Sequence, residues 1–200
     1  MTGVPSVSLT TTAIGAVSGT GFIDFSQTLD RTKIALKNSS AAYQYTISTS
    51  TLTQVVNANY PTTTVRGLVY LNGVFYVMDQ YGQIFGSGTN DFTIWTALNK
   101  VVAQAEPDAG MCLIKYNQYV AALGAYTIEF FFNDPQNATG STLSPVQNSQ
   151  LLIGCVNGDG VAQAQADRDG SEPHWAAPHA VLVLAAFDGA RRRLDRRHTH

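Results

Sequence analysis

Along the first 160 residues apolar and polar positions alternate in short runs, and the three-to-four spacing of an amphipathic helix is nearly absent. β-Branched and aromatic residues fill those runs, while Gly, Asn, Asp and Ser separate them, which is the punctuation of strands joined by tight turns. The pattern predicts an all-β fold of antiparallel meanders. Its strands are expected over residues 11–17, 34–37, 42–48, 51–56, 67–71, 74–79, 83–86, 112–116, 119–124 and 127–132.

The sharpest local signal is Leu68-Val-Tyr-Leu71, then Asn72-Gly73, then Val74-Phe-Tyr-Val77. Asn-Gly supplies the two positive φ angles that a type I′ hairpin turn demands. A second turn at Tyr81-Gly82 leads into Gln83-Ile-Phe85, which predicts a three-stranded meander running on through Ser87, Asp91 and Trp95. The same order returns 45 residues later, matching Leu68 with Leu113, Asn72 with Asn117, Tyr81 with Tyr126 and Phe85 with Phe130. A period of about 40–50 residues, each unit holding several antiparallel strands, is that of β-propeller blades. Residues 1–160 are therefore expected to be part of a β-propeller, with blade-like repeats near 66–96 and 111–133. At roughly 45 residues per unit this stretch holds three to four blades, at or below the range of closed rings, so the chain reads as a truncated piece of a larger body.

Composition divides the chain. Residues 1–160 hold all nine Tyr, all four Lys and every Asn, whereas residues 161–200 hold none of these and carry six of the eight Arg, all four His and nine Ala. The cluster Arg191-Arg-Arg-Leu-Asp-Arg-Arg197 reads as a basic arm, as a solvated or disordered end, or as part of a shifted reading frame, and the wholesale change in residue types favours the last. The tail is expected to be irregular or partly helical, with residues 176–187 as a short helix or strand.

Only 13% of residues are charged and the net charge is −2, so nothing over the whole molecule announces a nucleic-acid clamp or an acidic membrane surface. Cys112 and Cys155 lie far apart without a CxxC pair, which reads as two buried small residues. No secretory signal and no long apolar span stand out, which leads to the expectation of a protein made in a cytoplasm.

An enzymatic reading has to rest on carboxylates. Asp79, Asp91, Glu106, Asp108 and Glu129 are the candidates for a glycosidase acid and base, and Ser87…Asp91…Trp95 distantly resembles the structural Asp-box of sialidases. That segment lacks the glycine between Asp and Trp, and residues 1–160 hold only Arg31 and Arg66 to grip an acidic substrate. Alternation puts the Glu129 side chain opposite Ile128 and Phe130, as an exposed or interface group. GxSxG, GxxxxGK and HExxH are missing, and His174, His179, His198 and His200 lack partners at ligand spacing, so the reading assigns no catalytic, cofactor or metal site.

Three segments carry a family resemblance. They are Ile34-Ala-Leu-Lys-Asn38 before Ala41-Ala-Tyr43, the run from Gly67 to Val77 with its close at Ser87…Trp95, and Pro107-Asp108…Thr127-Ile-Glu-Phe-Phe-Phe132-Asn133. In these the chain resembles the packaged-DNA stabilisation proteins of short-tailed phages, which act as tail nozzle or hub. The resemblance implies a non-enzymatic virion structural protein of the tail, made in the bacterial host. It would assemble as a homo-oligomeric ring on the portal or head–tail adaptor beside other tail proteins, with packaged DNA nearby and no membrane. The polar loop 133–147 is the expected contact region. The competing reading is a carbohydrate-binding or glycoside-hydrolysing propeller; a bacterial surface propeller ranks behind both.

Overall fold

The computed structural model describes residues 11–103, 108–137, 139–165 and 180–184. Three four-stranded antiparallel sheets follow one another along the chain, each in simple up-and-down order. The first is β1 (Asp24–Gln27), β2 (Lys33–Lys37), β3 (Ala42–Thr46) and β4 (Thr51–Gln54). The second is β5 (Val69–Leu71), β6 (Val74–Met78), β7 (Gln83–Gly88) and β8 (Asp91–Val102). The third is β9 (Gly110–Tyr116), β10 (Tyr119–Gly124), β11 (Ile128–Asn133) and β12 (Leu143–Pro145). A 3-10 turn at Gly158–Gly160 precedes β13 (Val161–Gln165), which pairs antiparallel with β14 (Ala180–Leu184).

The sheets stack face to face, and strand alternation sorts side chains between the two interfaces. On β6, Phe75 and Val77 point to the first sheet, where they meet Ala35 and Ala42 together with Phe92 and Trp95 of β8. Val74, Tyr76 and Met78 point to the third, where they meet Leu113, Val120, Ala122 and Phe131. All five β6 residues are buried, which is why this strand reads as a continuous apolar run rather than an alternating one. β10 repeats the arrangement, with Val120 and Ala122 facing inward and Ala121 and Leu123 facing the far side, where Cys155 and Val161 join them. Leu36 and Tyr43 form the outer face of the first sheet with Val17 laid against them.

The inner strands come together. β1 lies beside β5, β5 beside β9, and a parallel bridge joins Arg66 to Cys112. This is the blade arrangement of a propeller, with β1, β5 and β9 nearest the axis.

The expected hairpin is present: Leu71 pairs with Val74 across Asn72 and Gly73 at φ 48° and 88°. The repeat holds through the next hairpin, where Asn117 also has positive φ, and through Leu123. It then slips. Met78 pairs with Ile84 but Leu123 pairs with Ile128, so the third sheet's turn is one residue shorter and Phe85 corresponds to Glu129, not to Phe130.

Other expectations need correction. Residues 11–17 form no strand; Gly15 within them, and Gly19 and Gly21 just after, have positive φ, which a regular strand does not hold. The three-stranded meander gains a fourth strand, β8, which runs well past Trp95. β1 and the short β12 were not anticipated, and β12 occupies part of the polar loop 133–147. Within the tail, residues 161–165 form a strand that was not anticipated, and residues 180–184 form a strand inside 176–187, where a short helix or strand was expected. His174, Trp175, His179, the Arg191–197 cluster, His198 and His200 lie outside the described residues.

Candidate functional site

Charge is concentrated where the inner strands meet. Asp24 and Lys37 are register partners on β1 and β2, and the Lys37 ammonium donates to Asp24 Oδ2 at 3.0 Å and to the Val65 carbonyl at 2.6 Å. The lysine side chain is wholly buried. Burial pushes its pKa down and the Asp24 carboxylate opposes that shift. Asp24 Oδ2 also accepts the Gly67 amide at 2.8 Å, and Oδ1 stands 2.9 Å from Arg66 Nη1. Arg66 Nε reaches Asp159 at 2.8 Å, and both cations lie over the Phe22 ring.

This cluster joins all three sheets to the segment that leads into β13. Asp24 and Lys37 belong to the first sheet, Arg66 and Gly67 enter the second, and Arg66 bonds to Leu113 of the third through its carbonyl at 2.9 Å. Gly67 has φ 96°, and a Cβ there would run into the Leu113 carbonyl, so only glycine lets the two inner strands approach this closely. Sequence reading singled out Arg66 only as scarce, and missed Asp24 and Lys37. Their pairing is set by sheet register, which no local signal encodes.

Polar ties recur away from the axis. Gln44 Oε1 accepts the Phe92 amide at 2.7 Å, and Lys33 pairs with Asp91 at 3.2 Å, both between the first and second sheets. Asn99 Nδ2 donates to the Ser87 carbonyl at 3.2 Å and its Oδ1 accepts the Thr142 amide at 3.0 Å, between the second and third. Tyr76 and Thr142 hydroxyls meet at 2.7 Å beside it. A Cβ at Gly86 would collide with the Asn99 amide, so the glycine makes room for this tie.

Three of the five carboxylates considered for glycosidase chemistry are occupied by the fold. Asp79 Oδ1 accepts the Tyr81 and Gln83 amides, each at 2.9 Å, and so closes the β6–β7 turn. Asp108 does the equivalent for the β10–β11 turn, taking the amides of Ala125, Tyr126 and Thr127 and the Thr127 hydroxyl. Asp91 binds the Thr93 amide and hydroxyl as well as Lys33; burial alone would raise its pKa, and these partners outweigh burial and lower it. Glu129 sits on the side opposite Ile128, as alternation required, but that side is a blade interface and the residue is only 7% exposed. Glu106 lies outside the described residues.

Ser87, Asp91 and Trp95 form a structural corner: Ser87 Oγ accepts the Phe75 amide at 3.0 Å and Trp95 Nε1 donates to the Phe92 carbonyl at 2.6 Å. Trp95 packs edge-on against Phe92 and Tyr60. Cys112 and Cys155 are buried free thiols, as expected, and burial raises the Cys112 pKa to about 12. Among the described residues no His, Cys, Asp and Glu group is placed to hold a metal ion.

No curated protein matches the chain. A family model does, over residues 3–167, and its description is "Bacteriophage P22 Gp10, beta-propeller". The match takes in all three sheets and the cross-ties between them. A chain of stacked four-stranded blades, with its turn-capping carboxylates committed to structure, thus belongs to the phage stabilisation family of β-propellers.

Proposed function

We propose that this protein is a non-enzymatic structural component of a short-tailed phage virion, placed in the tail, where it helps to close the portal vertex and hold packaged DNA inside. The family match over residues 3–167 is the observation that carries this reading. The physics of the fold supports it: retaining DNA under pressure needs a body that resists deformation, and here each sheet is tied to the next by buried polar contacts as well as apolar faces. Its partners would be the portal or head–tail adaptor and other tail proteins, with copies of the chain arranged as a ring. Residues 1–160 would supply the propeller body and residues 161–200 a compositionally separate tail. Synthesis would take place in the host cytoplasm, and no described helix is long and apolar enough to cross a membrane.

The test is the protein content of purified virions. Mass spectrometry should find the chain in tailed particles in a fixed ratio to the portal subunit, and immunogold should label the tail vertex. Its absence from purified particles would overturn the reading.

A further inference from the structure

The first sheet leaves one edge open at the axis. β1 is the end strand of its sheet, and among the described residues no other strand pairs with its inner side. That edge forms one wall of a groove of about 570 Å³, lined along its length by Asp24 to Leu29 and closed opposite by Gly67 to Tyr70 and Leu113 to Lys115. The volume lies in the range of ligand sites.

The groove's free charge is positive. Its one lining carboxylate, Asp24, is neutralised by Lys37 and Arg66. Arg31 and Lys115 also line it, both exposed, and neither makes an ion pair among the described residues. The nearby Asp30 carboxylate is folded back onto the Thr32 amide at 3.1 Å and its hydroxyl at 2.9 Å.

Arg31 itself is out of place by local rules. Six described non-glycine residues have left-handed φ: four are Asn, one is Ser50, and the sixth is Arg31 at 58°. Short polar side chains tolerate that region, whereas a long one gains nothing from it locally. A strained residue whose side chain borders a groove points to recognition.

We propose that this groove binds an extended acidic peptide segment of a neighbouring protein, which adds to the β1 edge and sets carboxylates against Arg31 and Lys115. The open edge selects a peptide over a nucleic acid, because main-chain ladder bonds are what an unpaired strand offers. Alternate side chains of the added strand face one way, so acidic residues at every second position meet the two cations. The inference stands independently of the virion assignment.

Fluorescence anisotropy of the full chain with a labelled peptide of alternating threonine and glutamate tests it, with a threonine–lysine peptide and oligothymidylate as competitors. Saturable binding is expected, weakened at least fivefold by Arg31→Gly and by Lys115→Gln, and undisturbed by either competitor. Hydrogen exchange should slow at β1 amides on binding. Circular dichroism confirms that each variant is folded, and the two substitutions serve as independent checks. Absence of saturable binding, binding indifferent to both substitutions, or displacement by oligothymidylate would each overturn the proposal.

Discussion

Lys37 and Asp24 face each other across the first two strands of the first sheet, ammonium to carboxylate at 3.0 Å, with the lysine side chain entirely out of water. Lys37 therefore depends on this one carboxylate, which Arg66 shares while also reaching Asp159. Asp24→Ala should cost about 3–5 kcal/mol, because it strands a buried charge and leaves the Gly67 amide without its acceptor. Asp24→Asn, which keeps an acceptor for Gly67, should fall between that variant and wild type. Urea unfolding of the three proteins measures the order, and a loss below about 1 kcal/mol for Asp24→Ala would show that the cluster does not hold the axis.

Asp108 closes a turn from a distance, reaching from the segment before β9 to four donors on Ala125, Tyr126 and Thr127. Asp79 closes its own turn with two. A hydrogen bond to a charged group contributes about 1.5–3 kcal/mol net, and water replaces part of that at a turn as exposed as the one at Tyr126. Asp108→Ala should therefore destabilise by about 2–4 kcal/mol and by more than Asp79→Ala, as read from urea midpoints. A Cβ at Gly124 would collide with the Asp108 carboxylate, so Gly124→Ala should damage the same turn.

Asn99 joins the Ser87 carbonyl to Thr142 across two sheets. Asn99→Ala leaves both buried groups unpaired and should cost about 1–3 kcal/mol. Thr142→Val keeps the amide donor but removes the hydroxyl that also donates to Asn99 Oδ1, at 3.3 Å, so the two substitutions should be non-additive in a double-mutant cycle.

Alkaline pH should weaken the fold through Cys112. Its folded pKa of about 12 stands above the ordinary 9.0, so the folded state keeps a proton that the unfolded chain sheds. The resulting stability is complete below about pH 9 and is lost as pH rises toward 12, at about 1.4 kcal/mol per pH unit. Buried Tyr60 and Tyr76, with raised pKa values, add the same trend above about pH 10. Lys37 works in the opposite sense, because its lowered pKa means a cost that is relieved as pH climbs toward 10.5. Cys112→Ala should flatten the fall between pH 9 and 10, measured as the change in urea midpoint.

Arg31 at left-handed φ carries a local cost of about 1 kcal/mol that glycine would not. Arg31→Gly should raise the melting temperature of the free protein by a few degrees.

The strands legible in the sequence were those with strong turn punctuation, such as the pair around Asn72-Gly73. β12 escaped notice because a three-residue strand in a polar stretch carries no period, and β8 was not read as a strand because its bulge between Trp95 and Lys100 breaks alternation. The match of Phe85 to Phe130 failed by one residue, since a turn deletion shifts everything after it without altering apolar character. Glu129 was read as an exposed or interface group on the side opposite Ile128, and the interface alternative holds because blades bury both faces. The axial cluster was the least legible feature: Asp24, Lys37, Arg66 and Asp159 span much of the chain, and only the stacking of sheets brings them together.

The most direct measurement of the virion role is DNA retention in particles made by a phage carrying a nonsense codon in this gene. Heads should fill with DNA normally and then lose it, giving empty particles by electron microscopy and nuclease-sensitive genomes, with filling restored when the protein is supplied in trans. Stable, infectious, DNA-filled particles lacking the protein would contradict the account.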